Sequence, residues 1–214
     1  MRRLFNVLFA AILLAGATAA LPAAAEPQRL LVLGDSLTAG YGLNQGKGFT
    51  DQLGDALAAA GDNVIVINGG VSGDTSAGGA GRIGWLLADK PDAAIVELGA
   101  NDALRGLDPA DTKRHLARII DELKAAGIEV LLAGMLAPPN LGRDYGAAFN
   151  AIYPDLAEEK GVALYPFFLD GVAAEPALNQ DDGIHPNERG VAVIVERILP
   201  AVRRLLASAR GAGG

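Results

Sequence analysis

Five short apolar runs, Leu30–Leu33, Val64–Ile67, Ala93–Leu98, Ile128–Ala133 and the weaker Val162–Leu164, alternate with stretches of helical periodicity along most of this chain. The helical patterns fall at Phe49–Ala60, Gly78–Ala88, Pro109–Ala126 and Tyr145–Lys160, with a last one from Asn187 to about Ala207. A strand that is apolar at every position must be covered on both faces, and parallel strands need long crossovers. The alternation therefore predicts a three-layer α/β/α domain around a five-stranded parallel sheet. Helix punctuation agrees: Asp108 and Pro109 set an N-cap before a first-turn proline, and Gly127 and Gly161 stand where C-terminal glycines belong. With 214 residues, half of them hydrophobic, the chain can bury one sizeable core, so one domain is expected.

The two ends differ from this middle. Met1, Arg2 and Arg3 are followed by a nearly continuous apolar stretch from Leu4 to Ala15 and by the small residues Ala23, Ala24 and Ala25. That order is the pattern of a cleaved secretory signal peptide over residues 1–25, and the apolar stretch falls short of the ~20 residues that span a bilayer. The general secretion route is expected rather than the twin-arginine one, since almost nothing precedes the arginine pair. A periplasmic or secreted protein without a stable membrane anchor follows. Its folded domain is expected over residues 26–207, with residues 208–214 as a flexible tail. The net charge is −7, and cleavage removes Arg2 and Arg3 but no acid, so no cationic surplus is available for nucleic acid. The absence of cysteine excludes a thiol nucleophile and a thiolate metal site.

In open α/β sheets, ligands gather beyond the carboxyl ends of the strands. The first run leads into Asp35 and Ser36, the second into Ser72, Gly73 and Asp74, the third into Gly99, Ala100, Asn101 and Asp102, and the loop after the fifth carries Asp182 and His185. A serine hydroxyl becomes nucleophilic when a neighbouring imidazole takes its proton, and the imidazole needs an acceptor on its other nitrogen. Ser36, His185 and Asp182 fit those roles, with the backbone N–H groups of Ser36 and Gly73 and the Asn101 amide as donors to an oxyanion. Taken singly, each has a plainer reading: Ser36 as a helix N-cap, His185 as a satisfied loop histidine, Asp182 as a turn former. Their convergence on one edge argues for a hydrolase. Asp35, Asp74, Asp102 and Asp181 raise a rival, a metal-dependent phosphoesterase. A non-catalytic carbohydrate-binding or scaffold protein is a third reading.

The segments Gly34–Tyr41, Gly73–Ser76, Gly99–Asp102 and Asp182–Pro186 resemble the four blocks of the SGNH (GDSL-type) hydrolases, in order and across the chain. Val96–Gly99 and Ala151–Pro154 are similar to a bacterial subgroup of periplasmic esterases of arylesterase, thioesterase and lysophospholipase type. The resemblance implies the flavodoxin-like fold of that family. It also implies Ser36 as nucleophile, Asp182 and His185 completing a triad, an oxyanion hole of Ser36, Gly73 and Asn101, and no metal or cofactor. Substrates would be small acyl esters or thioesters, lysophospholipid included, with a carbohydrate acetyl esterase as the alternative. The protein would work as a monomer or weak oligomer. Where close relatives carry a second glycine, this chain has Ala100. The apolar, turn-rich segment with Leu136, Pro138, Pro139 and Asn140 corresponds to a loop that moves over the acyl chain in that subgroup, and it is expected to line the acyl pocket.

Overall fold

The computed structural model describes residues 26–212, so the expected export segment 1–25 and the last two residues of the expected tail lie outside the described chain. The elements are β1 (Gln28–Gly34), α1 (Ser36–Ala39), α2 (Phe49–Ala59), β2 (Val64–Gly70), α3 (Ser76–Leu86), β3 (Ala93–Glu97), α4 (Ala100–Leu104), α5 (Pro109–Ala125), β4 (Glu129–Ala133), α6 (Arg143–Asn150), α7 (Ile152–Lys160), β5 (Ala163–Tyr165) and α8 (Glu188–Ala212). All five strands pair in parallel, in the order β2-β1-β3-β4-β5. Leu30–Leu33 of β1 and Ala93–Val96 of β3 have no exposed surface, which explains why these strands are apolar at consecutive positions. Helices α2 and α8 pack together against one face, while α3, α5 and α7 pack side by side on the other. In α5, Leu116, Ile119, Ile120 and Leu123 form the buried stripe, a spacing that puts all four on one side of the helix. The chain leaves β1 toward β2 and then crosses back to β3, so a crevice opens between the carboxyl ends of β1 and β3.

The structure departs from the sequence expectations in four places. Helix 145–160 is two helices that part at Ala151, because Pro154 has no N–H for the Asn150 carbonyl and its ring crowds that position; it is tolerated in the first turn of α7. Helix α8 runs on to Ala212 where a flexible tail was expected from Ser208. Buried Leu205 and Leu206, and the ion pairs of Arg203 (2.7 Å) and Arg210 (3.6 Å) with Asp62, hold its last turns to the body. Helices α1 and α4 are too short to leave a periodic signature. Finally, Asn68, Gly69 and Gly70 extend β2 instead of leaving it, pairing with Val32, Leu33 and Gly34 of β1.

That last difference positions the site. A Cβ on Gly70 would lie 2.4 Å from the Ala39 backbone nitrogen and 2.8 Å from Ala39 Cα and the Thr38 carbonyl carbon, so α1 sits directly on the glycine. Gly70→Ala is expected to cost about 1–3 kcal/mol through overpacking. The midpoint of thermal unfolding should then fall by about 2–4 °C for each kcal/mol, and α1, which begins at Ser36, should shift with it. An unchanged midpoint would mean that α1 can move away freely.

Candidate active site

Ser36 is the first residue of α1, and the N-cap of that helix is Asp35, whose Oδ1 accepts the Leu37 N–H at 3.0 Å. The capping role open to Ser36 therefore falls to its neighbour, and the serine hydroxyl is left for other partners. Its Oγ lies 2.9 Å from His185 Nε2. On the other side of the ring, Nδ1 lies 2.6 Å from Asp182 Oδ2, while Asp182 Oδ1 accepts the backbone N–H groups of Ile184 (2.9 Å) and His185 (3.0 Å). The His185 backbone N–H, then its ring, then the Ile184 N–H lower the Asp182 carboxyl to about 2, so it is ionised at any working pH. An ionised carboxylate only accepts, so the imidazole proton resides on Nδ1 and Nε2 faces the serine as an acceptor. The Tyr41 ring stands over His185 with centroids 4.6 Å apart.

The three groups expected to donate to an oxyanion stand in the segments after β1, β2 and β3. Neither the Ser36 nor the Gly73 backbone N–H has an acceptor among the described residues. Gly73 takes φ 81°, which suits glycine, and its carbonyl is held at 2.7 Å by Arg105 at the end of α4. Asn101, in the first turn of α4, gives one Nδ2 proton to Asp35 Oδ2 at 3.0 Å and keeps the other. Arg105 and Asp35 thus tie the loops after β1, β2 and β3 into one frame. Ala100 begins α4 among residues with negative φ; the position that demands glycine is Gly99, with φ 115° and the Tyr153 hydroxyl 2.1 Å from where a Cβ would stand.

The aspartates read as metal-ligand candidates do not gather. Asp74 pairs with Arg82 at 2.7 Å, Asp102 accepts from Ser76 and Thr112, Asp181 is exposed, and His115 is half-buried with Nδ1 3.4 Å from Ser76 Oγ. Among the described residues, no group of three or more His, Asp or Glu could hold a metal ion. A cavity of about 10 Å³ beside Ser36 is lined by Leu37, Tyr41, Phe49, Phe168, His185 and Ile194 among others. That volume admits a water and no acyl chain. Leu136, Pro138, Pro139 and Asn140 do not line it; Leu136, Pro139 and Asn140 are exposed and Pro138 is half-buried.

Sequence reasoning missed Glu97, the last residue of β3, which is wholly buried beside Gly34. Its Oε2 accepts from Thr38 Oγ1 at 2.7 Å, and a Cβ on Gly34 would collide with both groups, at 2.4 and 2.0 Å. The glycine that precedes Asp35 and Ser36 is thus set by a buried acid beneath the turn. Burial, followed by the nearby Asp35 charge, pushes the Glu97 carboxyl well above its ordinary 4.5, while burial raises Asp35 to about 6 against the bonds from Leu37 and Asn101. One signal could have found Glu97: an ionisable residue closing an otherwise apolar strand of a parallel sheet.

The chain matches the GDSL-like Lipase/Acylhydrolase family over residues 32–193, and it belongs to that family. It is 42% identical over 199 residues to Esterase TesA of Pseudomonas aeruginosa, covering 92% of this chain and 99% of the relative. It is 45% identical over 165 residues to Thioesterase 1/protease 1/lysophospholipase L1 of Escherichia coli K12, covering 77% and 78%. Among solved structures, the SGNH-hydrolase family esterase AlinE4 superposes with a TM-score of 0.73 at 48% identity, covering 86% of this chain and 99% of that one.

The buried acid also sets a pH dependence. From about pH 4.5 upward the unfolded chain has lost the Glu97 proton that the folded protein keeps, so the folded state binds more protons and stability falls as pH rises toward the folded value. Glu97→Gln removes that ionisation. The unfolding temperature of the variant relative to the parent is expected to increase as pH rises above about 4.5. A constant difference would mean that Glu97 ionises normally in the fold.

Proposed function

We propose that this protein is a serine esterase of broad specificity that hydrolyses acyl esters and thioesters through an acyl-enzyme on Ser36. The contact that carries the reading is Ser36 Oγ to His185 Nε2 at 2.9 Å, backed by Asp182 at 2.6 Å. As the Oγ–carbonyl carbon bond forms, the hydroxyl proton passes to Nε2, and the oxyanion meets the N–H groups of Ser36 and Gly73 and the free Nδ2 proton of Asn101. Collapse expels the alcohol or thiol, which takes the proton from Nε2. Water then enters by the same route: it gives a proton to Nε2, attacks the acyl carbon and frees the acid, and the proton returns to Ser36. Asp182 steadies the imidazolium in both halves.

The names of the relatives, an esterase and a thioesterase/lysophospholipase, support acyl substrates that differ in their leaving group. Among the described residues no large insertion separates the sheet strands, which supports an open site, and lysophospholipid fits the same class. The residue pattern of 1–25 supports export, with the hydrolase domain over residues 26–207, its last helix continuing to Ala212, as a monomer or weak oligomer. Among the described residues no helix is long and apolar enough to cross a membrane. Leu136, Pro138, Pro139 and Asn140 are assigned to acyl contact, at the end of β4 on the site edge of the sheet.

On p-nitrophenyl esters, Ser36→Ala is expected to abolish turnover, and Asn101→Ala to lower kcat about 10²–10³-fold. A fluorophosphonate should label Ser36, whereas a chelator should leave activity intact. Full activity in Ser36→Ala would overturn the mechanism. Shortening segment 136–140 is expected to shift the ratio of kcat/KM between short and long acyl esters, and an unchanged ratio would remove the segment from acyl binding.

A further inference from the structure

We infer that Gln180 is a positioning residue that holds His185 against Ser36. The inference rests on the serine mechanism proposed above. Its side-chain amide donates to the Tyr41 carbonyl at 2.8 Å and to the Pro186 carbonyl at 2.9 Å, and its backbone N–H donates to the His185 carbonyl at 2.7 Å. The Tyr41 N–H in turn donates to the Ser36 carbonyl at 3.1 Å. These bonds close a ring from Ser36 through Tyr41, Gln180 and His185 back to the serine hydroxyl. It joins positions 139 residues apart with one amide.

The chemistry of the contact is specific. Both acceptors are carbonyl oxygens, so the group between them must offer two protons from one atom, and the Gln amide nitrogen does. A carboxylate there would face two like dipoles, and an apolar side chain would leave both carbonyls without this donor. Gly42 completes the fit: with φ +73°, it has no Cβ, and one would stand 2.1 Å from Gln180 Oε1. The consequence reaches the reacting atoms in two ways. The Pro186 and His185 bonds fix the backbone from which the imidazole projects, and the Tyr41 bond fixes the residue whose ring stands over it. Asp182 sets the tilt of the ring but belongs to the same loop, so it moves with His185. Within this ring, the amide is what ties that loop to the segment bearing the nucleophile.

The test is Gln180→Met, close in length and without donors, assayed on p-nitrophenyl butyrate beside Ser36→Ala. The expected result is a folded variant whose kcat falls about 10- to 100-fold with KM within about twofold, because a displaced base costs rate rather than binding. Its rate of fluorophosphonate labelling should fall by the same factor. A folded variant with kcat within about twofold of the parent would overturn the inference, as would a rise in KM alone. If the methionine variant does not fold, Gln180→Asn, which keeps the amide but shortens its reach by a methylene, is read by the same criteria. Activity retained in Ser36→Ala would instead sink the underlying mechanism, whatever Gln180 does.

Discussion

The approach of His185 Nε2 to Ser36 Oγ, 2.9 Å across 149 residues of chain, is the contact around which the rest of the molecule is arranged. One partner is carried by the first strand of the sheet and the other by the last loop before the final helix. Neither end brings the other with it. The parallel sheet solves half of the problem by placing the carboxyl ends of all its strands on one edge. The loops solve the other half with hydrogen bonds that run between segments: Asp35 to Asn101, Arg105 to Gly73, and Gln180 to Tyr41. A hydrogen bond contributes only about 0.5–1.5 kcal/mol net, yet each of these removes a direction in which a reacting group could drift.

Beneath Ser36 lies a pair of buried acids. Burial raises Asp35 to about 6 against its bonds from Leu37 and Asn101, and pushes Glu97 well above its ordinary 4.5 against its bonds from the Thr38 hydroxyl and the Asp35 and Thr38 backbone N–H groups. On the proposed mechanism, a second full charge below Ser36 would oppose the negative oxygen formed above it. Burial, which costs a carboxylate its hydration, disfavours that charge.

Much of this was legible in the sequence, for identifiable reasons. The central strands declare themselves because both faces are buried, which leaves no polar position to confuse the pattern. Asp182 and His185 are three residues apart, so their pairing is a local property of one turn. Helices α1 and α4 were invisible because a helix of four or five residues has no period to read. The break at Ala151 was missed because helical periodicity runs through it, and only Pro154 marked the interruption. Gln180 gave no signal at all: a glutamine in a polar loop is ordinary until the fold brings Tyr41 to it. The extension of β2 through two glycines contradicts the usual reading of glycine as a strand terminator, and the close seat of α1 on Gly70 explains it.

The separation of Ser36 from His185 along the chain also governs when activity begins. A polypeptide emerging in order presents its alcohol early and its base only near the end. Closing so long a loop is slow beside local helix formation, and the sheet must be assembled before the final segment has an edge to dock on. On the proposed mechanism, a partly synthesised or still unfolded chain is therefore chemically silent toward esters. On that mechanism the catalyst is switched on by its own completion.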